Sequence, residues 1–145
     1  METAYRFFIG GIIQGSKNDL SVHNQDYRHC ISRILQQHFP NCTIFCPVEN
    51  HPDSISYDDL KAKNVFMNHI EEVKKSHCLI VYLPEASLGT AIEMWEAYQK
   101  DIVIITISSM ITNWVVRIFS DKICLDMETF KNYVESGHLK HCLEC

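Results

Sequence analysis

Five short apolar runs recur along the chain: Phe7-Phe8-Ile9, Thr43-Ile44-Phe45-Cys46, Cys78 to Leu83, Asp101 to Ile107 and Ile123-Cys124-Leu125. None alternates apolar with polar residues, so each reads as a strand buried on both faces, as in a parallel sheet. The segments between them have helical period. Tyr27, Cys30, Ile31, Ile34 and Leu35 mark one face of a helix from about Asn24 to His38, ended by Pro40-Asn41. Val65, Phe66, His69, Ile70 and Val73 mark another, from about Leu60 to Lys75, capped by Asp59 or a neighbour. Strands alternating with helices give the α/β class. Right-handed crossovers then favour a doubly wound, flavodoxin-like, five-stranded parallel sheet of order 2-1-3-4-5 with helices on both faces. A chain of 145 residues is long enough for one such domain, spanning 1–145, and too short for two.

That order brings the carboxyl ends of the first and third strands together at the switch point, where such sheets bind ligands. Gly10-Gly11-Ile12-Ile13-Gln14-Gly15-Ser16 follows the first strand. Its glycines allow a tight turn and close backbone approach to a ligand. It fits neither common phosphate-loop pattern, and alone it reads equally as a plain turn. Ser87-Leu88-Gly89-Thr90-Ala91-Ile92-Glu93 follows the third strand and opens a helix. The first turn of that helix offers free backbone N–H groups to an anion. Glu93 sits one turn further in, beside Ile92, Met94 and Trp95, which partly desolvate it. A carboxylate in such a place can add to the anomeric carbon of a nucleoside and stabilise an oxocarbenium-like transition state. The competing reading is a glutamate that caps or ion-pairs on a helix surface.

The other segments carry weaker signals. Val48 to Asp59 has no period and reads as a long loop from which Tyr57, Asp58 or Asp59 could reach a ligand. His69 lies on an apolar stripe, where a histidine is either a satisfied core residue or a catalyst. Thr112-Asn113 leads into a short helix at Trp114 to Phe119, and Met127 to about Ser136 forms a closing helix stopped by Gly137. The tail His138-Leu139-Lys140-His141-Cys142-Leu143-Glu144-Cys145 packs four soft ligands into eight positions. Zinc sites usually separate their ligand pairs by a longer loop, so a frayed terminus is expected there, with no metal and no cofactor.

Charge excludes one function class. The net charge is −5 and no Lys/Arg cluster exceeds a pair such as Lys74-Lys75, so a grip on a nucleic-acid backbone is not expected. A small ligand with one or two phosphates fits. The N-terminus lacks a secretory pattern, and no run approaches the roughly 18 to 20 apolar residues of a membrane span, which points to a cytoplasmic protein. The seven cysteines then read as free thiols that behave as small hydrophobes.

With the Phe8-Ile9-Gly10-Gly11 opening, the S-x-G-x-x-x-E segment from Ser87 to Glu93 and the following Ala97, the chain resembles the nucleoside 2-deoxyribosyltransferase family. Within it, the chain is most similar to the branch of 2'-deoxynucleoside 5'-phosphate N-hydrolases and cytidine-monophosphate hydrolases. The resemblance implies that Glu93 is the nucleophile that forms a glycosyl-enzyme ester. It implies that Ser87 and Gly89 bind sugar or 5'-phosphate, and that the loop from Gly10 and Gly11 through Gln14 to Gly15 contacts base and phosphate. It also implies a homodimer in which Asn113 reaches the neighbouring subunit's site. Where the family carries an acidic aspartate before the central strand, this chain has His69, the candidate acid. Where the family often has a tyrosine in the first strand, this chain has Phe7. Hydrolysis of the base–sugar bond of a (deoxy)nucleoside 5'-monophosphate is the expected activity, with transfer of deoxyribose between bases, NAD cleavage and nucleotide sensing without catalysis as alternatives.

Overall fold

The computed structural model describes residues 3–145. Its strands are β1 (Arg6–Gly11), β2 (Thr43–Phe45), β3 (Cys78–Tyr82), β4 (Val103–Ile107) and β5 (Lys122–Cys124). They form one sheet of order β2-β1-β3-β4-β5, parallel throughout, with Phe7 opposite both Ile44 and Cys78. The helices are α1 (Asp26–His38), α2 (Pro47–Asn50), α3 (Asp59–Lys74), α4 (Leu88–Gln99), α5 (Trp114–Phe119), α6 (Met127–Glu135) and α7 (His138–Glu144). The expected class, strand order and two-sided covering are all present.

Side-chain alternation along the strands decides which helix meets which face. Phe7, Ile9, Cys78, Ile80 and Ile105 point into a core shared with α1, α6 and α7. Phe8, Leu79, Val81 and Ile104 point into a second core shared with α3, α4 and α5. The same alternation carries past the aromatic residues of β1. Gly10 therefore faces α4, and Gly11 faces α1.

Four expectations need correction. The glycine segment is not wholly a loop: β1 continues through Gly10 and Gly11, which pair with Val81 and Tyr82. The fourth strand starts later, because Asp101 takes a left-handed φ of 54° that closes α4. The stretch after β2 is not an unstructured loop, since Pro47 opens α2 at its first turn and Ser54–Ser56 forms a short 3-10 turn. The tail is not frayed. Gly137, at φ 86°, ends α6 and redirects the chain into α7, whose Leu139 is buried in the first core.

Candidate active site

The two segments singled out at the switch point lie together. Ser87 caps α4: its Oγ accepts the Thr90 N–H at 3.4 Å and stands 3.0 Å from the Thr90 hydroxyl. Among the described residues, the N–H groups of Leu88 and Gly89 remain open in this first turn. One turn on, Glu93 leaves α4 toward β1 and is 7% exposed. Its carboxyl rests on Gly10, so closely that a Cβ there would stand 3.2 Å from Oε1. A cavity of about 150 Å³ opens over the carboxyl, and its wall includes Gly11, Gln14, Gly15, Ser87, Gly89 and Glu93.

Two further cavities adjoin it. One, of about 370 Å³, shares Ile13 and Gln14 with the first and is walled by Tyr57, Phe66 and His69. Phe66 lies along the α4 start, 3.6 Å from where a Gly89 Cβ would be. The other, of about 360 Å³, shares Gly15, Ser87 and Leu88 and includes Asn113. The nine residues singled out from the sequence thus fall in or directly beneath three adjoining cavities. They do not all face one another. Asn113 Oδ1 accepts the N–H groups of Val115 and Val116 at 3.0 and 3.3 Å and so caps its own α5.

Burial pushes the Glu93 carboxyl up to about 8, against a weaker downward pull from Arg28. Among the described residues it accepts no hydrogen bond, so nothing but that distant cation favours its charged form. At pH 7 the protonated form therefore predominates.

His69 is 7% exposed, its ring 5.6 Å from both Phe45 and His51, and its Nε2 is buried without a partner among the described residues. Burial, then the proximity of His51 and Arg28, lowers it to about 4. At neutral pH it is an uncharged imidazole, able to donate one hydrogen bond but holding no surplus proton. Little of it at neutral pH is therefore in the protonated form on which general-acid donation depends. Tyr57, one of the loop residues expected to reach a ligand, meets the ring nitrogen Nδ1 of His51 at 3.0 Å beside His69. Asp58 does something else: its carboxylate caps α3 by accepting the Lys61 N–H at 2.9 Å.

Sequence reasoning missed Arg28. It is 3% exposed, and its guanidinium donates to the carbonyl of Ile9 at 2.9 Å, to that of Gly11 at 3.2 Å and to Gln25 Oε1 at 2.8 Å. The signal was available, because Arg28, Ile31 and Leu35 share one helix face at i, i+3 and i+7. His23 and Glu85 were also passed over. They meet at 2.9 Å across Gly15 and tie the loop after β1 to the segment after β3. Among the described residues no group of three His, Cys, Asp or Glu side chains is placed to hold a metal ion.

The arrangement suits a ligand with a planar ring, a sugar-sized centre and an anionic end. The ring would enter the aromatic-walled cavity, the centre would lie over Glu93, and the anion would meet the α4 start.

No protein-family model matches the chain, and no curated protein matches it. Among solved structures, a 2-deoxyribosyltransferase from the psychrotolerant bacterium Bacillus psychrosaccharolyticus superimposes with a TM-score of 0.66 at 18% identity, over 88% of this chain and 91% of the other. A conserved protein from Enterococcus faecalis V583 superimposes with a TM-score of 0.65 at 17% identity, over 92% of this chain and 99% of the other. The chain therefore shares the fold of a 2-deoxyribosyltransferase.

Proposed function

We propose that the protein is an N-glycosidase that hydrolyses the base–sugar bond of a (deoxy)nucleoside 5'-monophosphate, with Glu93 as nucleophile. One observation carries the reading: a buried carboxyl, without a hydrogen-bond partner among the described residues, stands between an aromatic-walled cavity and an open helix start. The ionised carboxylate attacks C1', and the base departs with the electrons of the C–N bond. His69 donates a hydrogen bond to the departing base, which takes its proton from solvent. Water then attacks C1' of the ester, releasing the sugar phosphate and the carboxylate, and its proton goes to solvent. Gln14 and the α4 start at Ser87 and Gly89 orient sugar and phosphate.

Transfer to a second base is the alternative. It uses the same ester and is favoured by the shared fold with a 2-deoxyribosyltransferase. Incubation with a panel of nucleosides and nucleotides, read by chromatography, tests both. Free base with sugar phosphate is the expected result, and a new nucleoside on adding a second base would convert the assignment to transfer. Tight binding with the nucleotide left intact would make the protein a sensor instead.

The same reading makes the protein a cytoplasmic homodimer. Leu88, Ile92 and Trp95 line one exposed face of α4, and Trp114 and Ile118 of α5 are exposed as well, with Leu88 at 84% and Trp114 at 75%. An apolar face of this kind is normally covered. Asn113 of this chain lines the cavity beside Ser87 next to that face, which is where a partner copy would lie against the site. Light scattering of the wild type is expected to give a dimer and Trp114→Asp a monomer; a monomeric wild type would remove this part of the proposal. All seven cysteines are free, in keeping with a reducing compartment. Among the described residues, no helix is long and apolar enough to cross a membrane.

A further inference from the structure

We propose that Arg28 is a positioning residue for Glu93: from behind β1 it fixes the strand end on which the Glu93 carboxyl rests and sets a fixed cation behind that strand end. The inference rests on Glu93 being the nucleophile.

The argument starts from the sheet. β2 is short, and its last pairing with β1 is Phe45 opposite Phe8. Beyond that point β1 continues to Gly11 with no strand on that side, so the carbonyls of Ile9 and Gly11 have no ladder partner there. Arg28 fills the gap, donating from Nη1 to Ile9 at 2.9 Å and from Nη2 to Gly11 at 3.2 Å. The planar fork spans two carbonyls that a single ammonium cannot match. Gln25 fixes the fork by accepting from Nε at 2.8 Å, while its own amide donates to the carbonyls of Ile12 and His23. Between the two gripped carbonyls lies Gly10, the residue on which the Glu93 carboxyl rests. Arg28 and Glu93 thus act on opposite sides of one peptide segment.

This placement has an electrostatic consequence. Among the described residues the guanidinium meets the carbonyls of Ile9 and Gly11, the amide oxygen of Gln25 and the Cys46 sulfur at 3.5 Å, and no carboxylate, so in a low-dielectric site its charge reaches past direct contact. The titratable groups packed around the pair are Tyr27 on α1, Cys46 after β2 and His69 on α3. Burial raises the Tyr27 phenol and lowers His69, so both are neutral at pH 7 and neither opposes the carboxylate. Arg28 adds to the lowering of His69, behind burial and His51.

The test compares Arg28→Gln and Arg28→Lys in the full chain. The carbon signal of the Glu93 carboxyl is followed by NMR through a pH titration, without any substrate. In Arg28→Gln the Glu93 midpoint is expected to move at least one pH unit upward, and base release at pH 7 to fall at least tenfold through kcat, recovering toward the wild-type rate at higher pH. Arg28→Lys keeps the charge but not the fork. It is expected to leave the midpoint near the wild-type value while lowering kcat through looser placement of Gly10. An unmoved midpoint in folded Arg28→Gln would overturn the proposal whether or not any nucleotide is cleaved. If Arg28→Gln does not fold, a Glu93 midpoint in Arg28→Lys shifted upward by a full unit would overturn it instead. If the wild type cleaves nothing while the midpoint moves, the nucleophile reading fails and the electrostatic coupling stands.

Discussion

Replacing Glu93 with glutamine is expected to abolish base release, by about 10³-fold or more, and to raise the melting temperature at alkaline pH. The first effect follows from the loss of the attacking oxygen, since an amide of the same shape cannot form the ester. The second follows from burial. The folded-state value of Glu93 is raised from 4.5 to about 8, so between these limits the native protein holds a proton that the unfolded chain has lost. Stability contributed by this group is therefore present at low pH and is lost as pH rises through 8. His69 acts in the opposite sense over a lower window. Its folded-state value is lowered from 6.5 to about 4, so its contribution falls away as pH drops below 6.5. Above 6.5 only Glu93 of this pair acts, and there the wild type is expected to lose stability up to pH 9 while Glu93→Gln stays flat. A gap of a few kcal/mol corresponds to roughly 5–10 °C in melting temperature for a domain of this size. At pH 4, below both values, the two proteins should melt close together, because the carboxyl is then protonated in the folded and the unfolded chain alike and resembles the amide. The same ionisation shapes the rate: kcat/KM should climb about tenfold per pH unit toward 8 and then level. Substantial turnover by Glu93→Gln would remove the residue from the chemistry, and equal melting at pH 9 would show that the carboxyl is not desolvated.

The gain in stability on removing Glu93 would mark a site held against the preference of its surroundings. How much of that was legible from sequence depends on which physical signal carried it. Apolar runs without alternation report burial on both faces, and crossover handedness then leaves few strand orders, so β1 to β5 and the meeting of their two loops could be read directly. Glu93 and Ser87 lie near each other along one helix, so local spacing placed both. Arg28 belongs to the other kind of feature. Its partners Ile9 and Gly11 are 19 and 17 positions away, and its role exists only because β2 stops opposite Phe8. Strand length at an edge is a tertiary outcome, and periodicity does not encode it. The segment after β2 was misread for a related reason. Polar residues and Pro47 signalled a loop, while the two short turns there depend on contacts such as that between His51 and Tyr57. The soft ligands of the tail misdirected attention from Leu139, whose burial holds α7 on the core.

Alanine at Gly11 is expected to damage the fold, and alanine at Gly10 the site, although the two positions are adjacent. Gly11 has a φ of 147°, which L side chains rarely adopt, and its Cβ would fall 2.7 Å from the Tyr27 hydroxyl and 2.8 Å from the Tyr82 carbonyl. Neither neighbour can yield at small cost. The Tyr27 hydroxyl donates to the Ile12 carbonyl at 2.9 Å with its ring stacked 4.4 Å from that of Tyr82, and the Tyr82 carbonyl accepts the Ile12 N–H at 3.1 Å. Backbone strain and two displaced hydrogen bonds together should cost about 3 kcal/mol or more, a drop of roughly 10 °C in melting temperature. Gly10 has no such φ, and its added methyl would meet Val81 Cγ1 at 3.1 Å and Glu93 Oε1 at 3.2 Å. Both contacts are side-chain ends and neither is backbone, so the Val81 methyl and the Glu93 carboxyl each give by a few tenths of an ångström and the sheet stays intact. Reduced backbone freedom in the unfolded chain offsets part of the cost, leaving stability within about 1 kcal/mol of the wild type. Displacement of a nucleophile is felt mainly in the chemical step, so kcat should fall about 10- to 100-fold with KM little changed. Thermal melts and steady-state kinetics on both variants separate the two effects. Wild-type turnover in Gly10→Ala would mean that the reacting carboxyl does not depend on this contact, and an undiminished melting temperature in Gly11→Ala would mean that the end of β1 is looser than its packing against Tyr27 and Tyr82 requires.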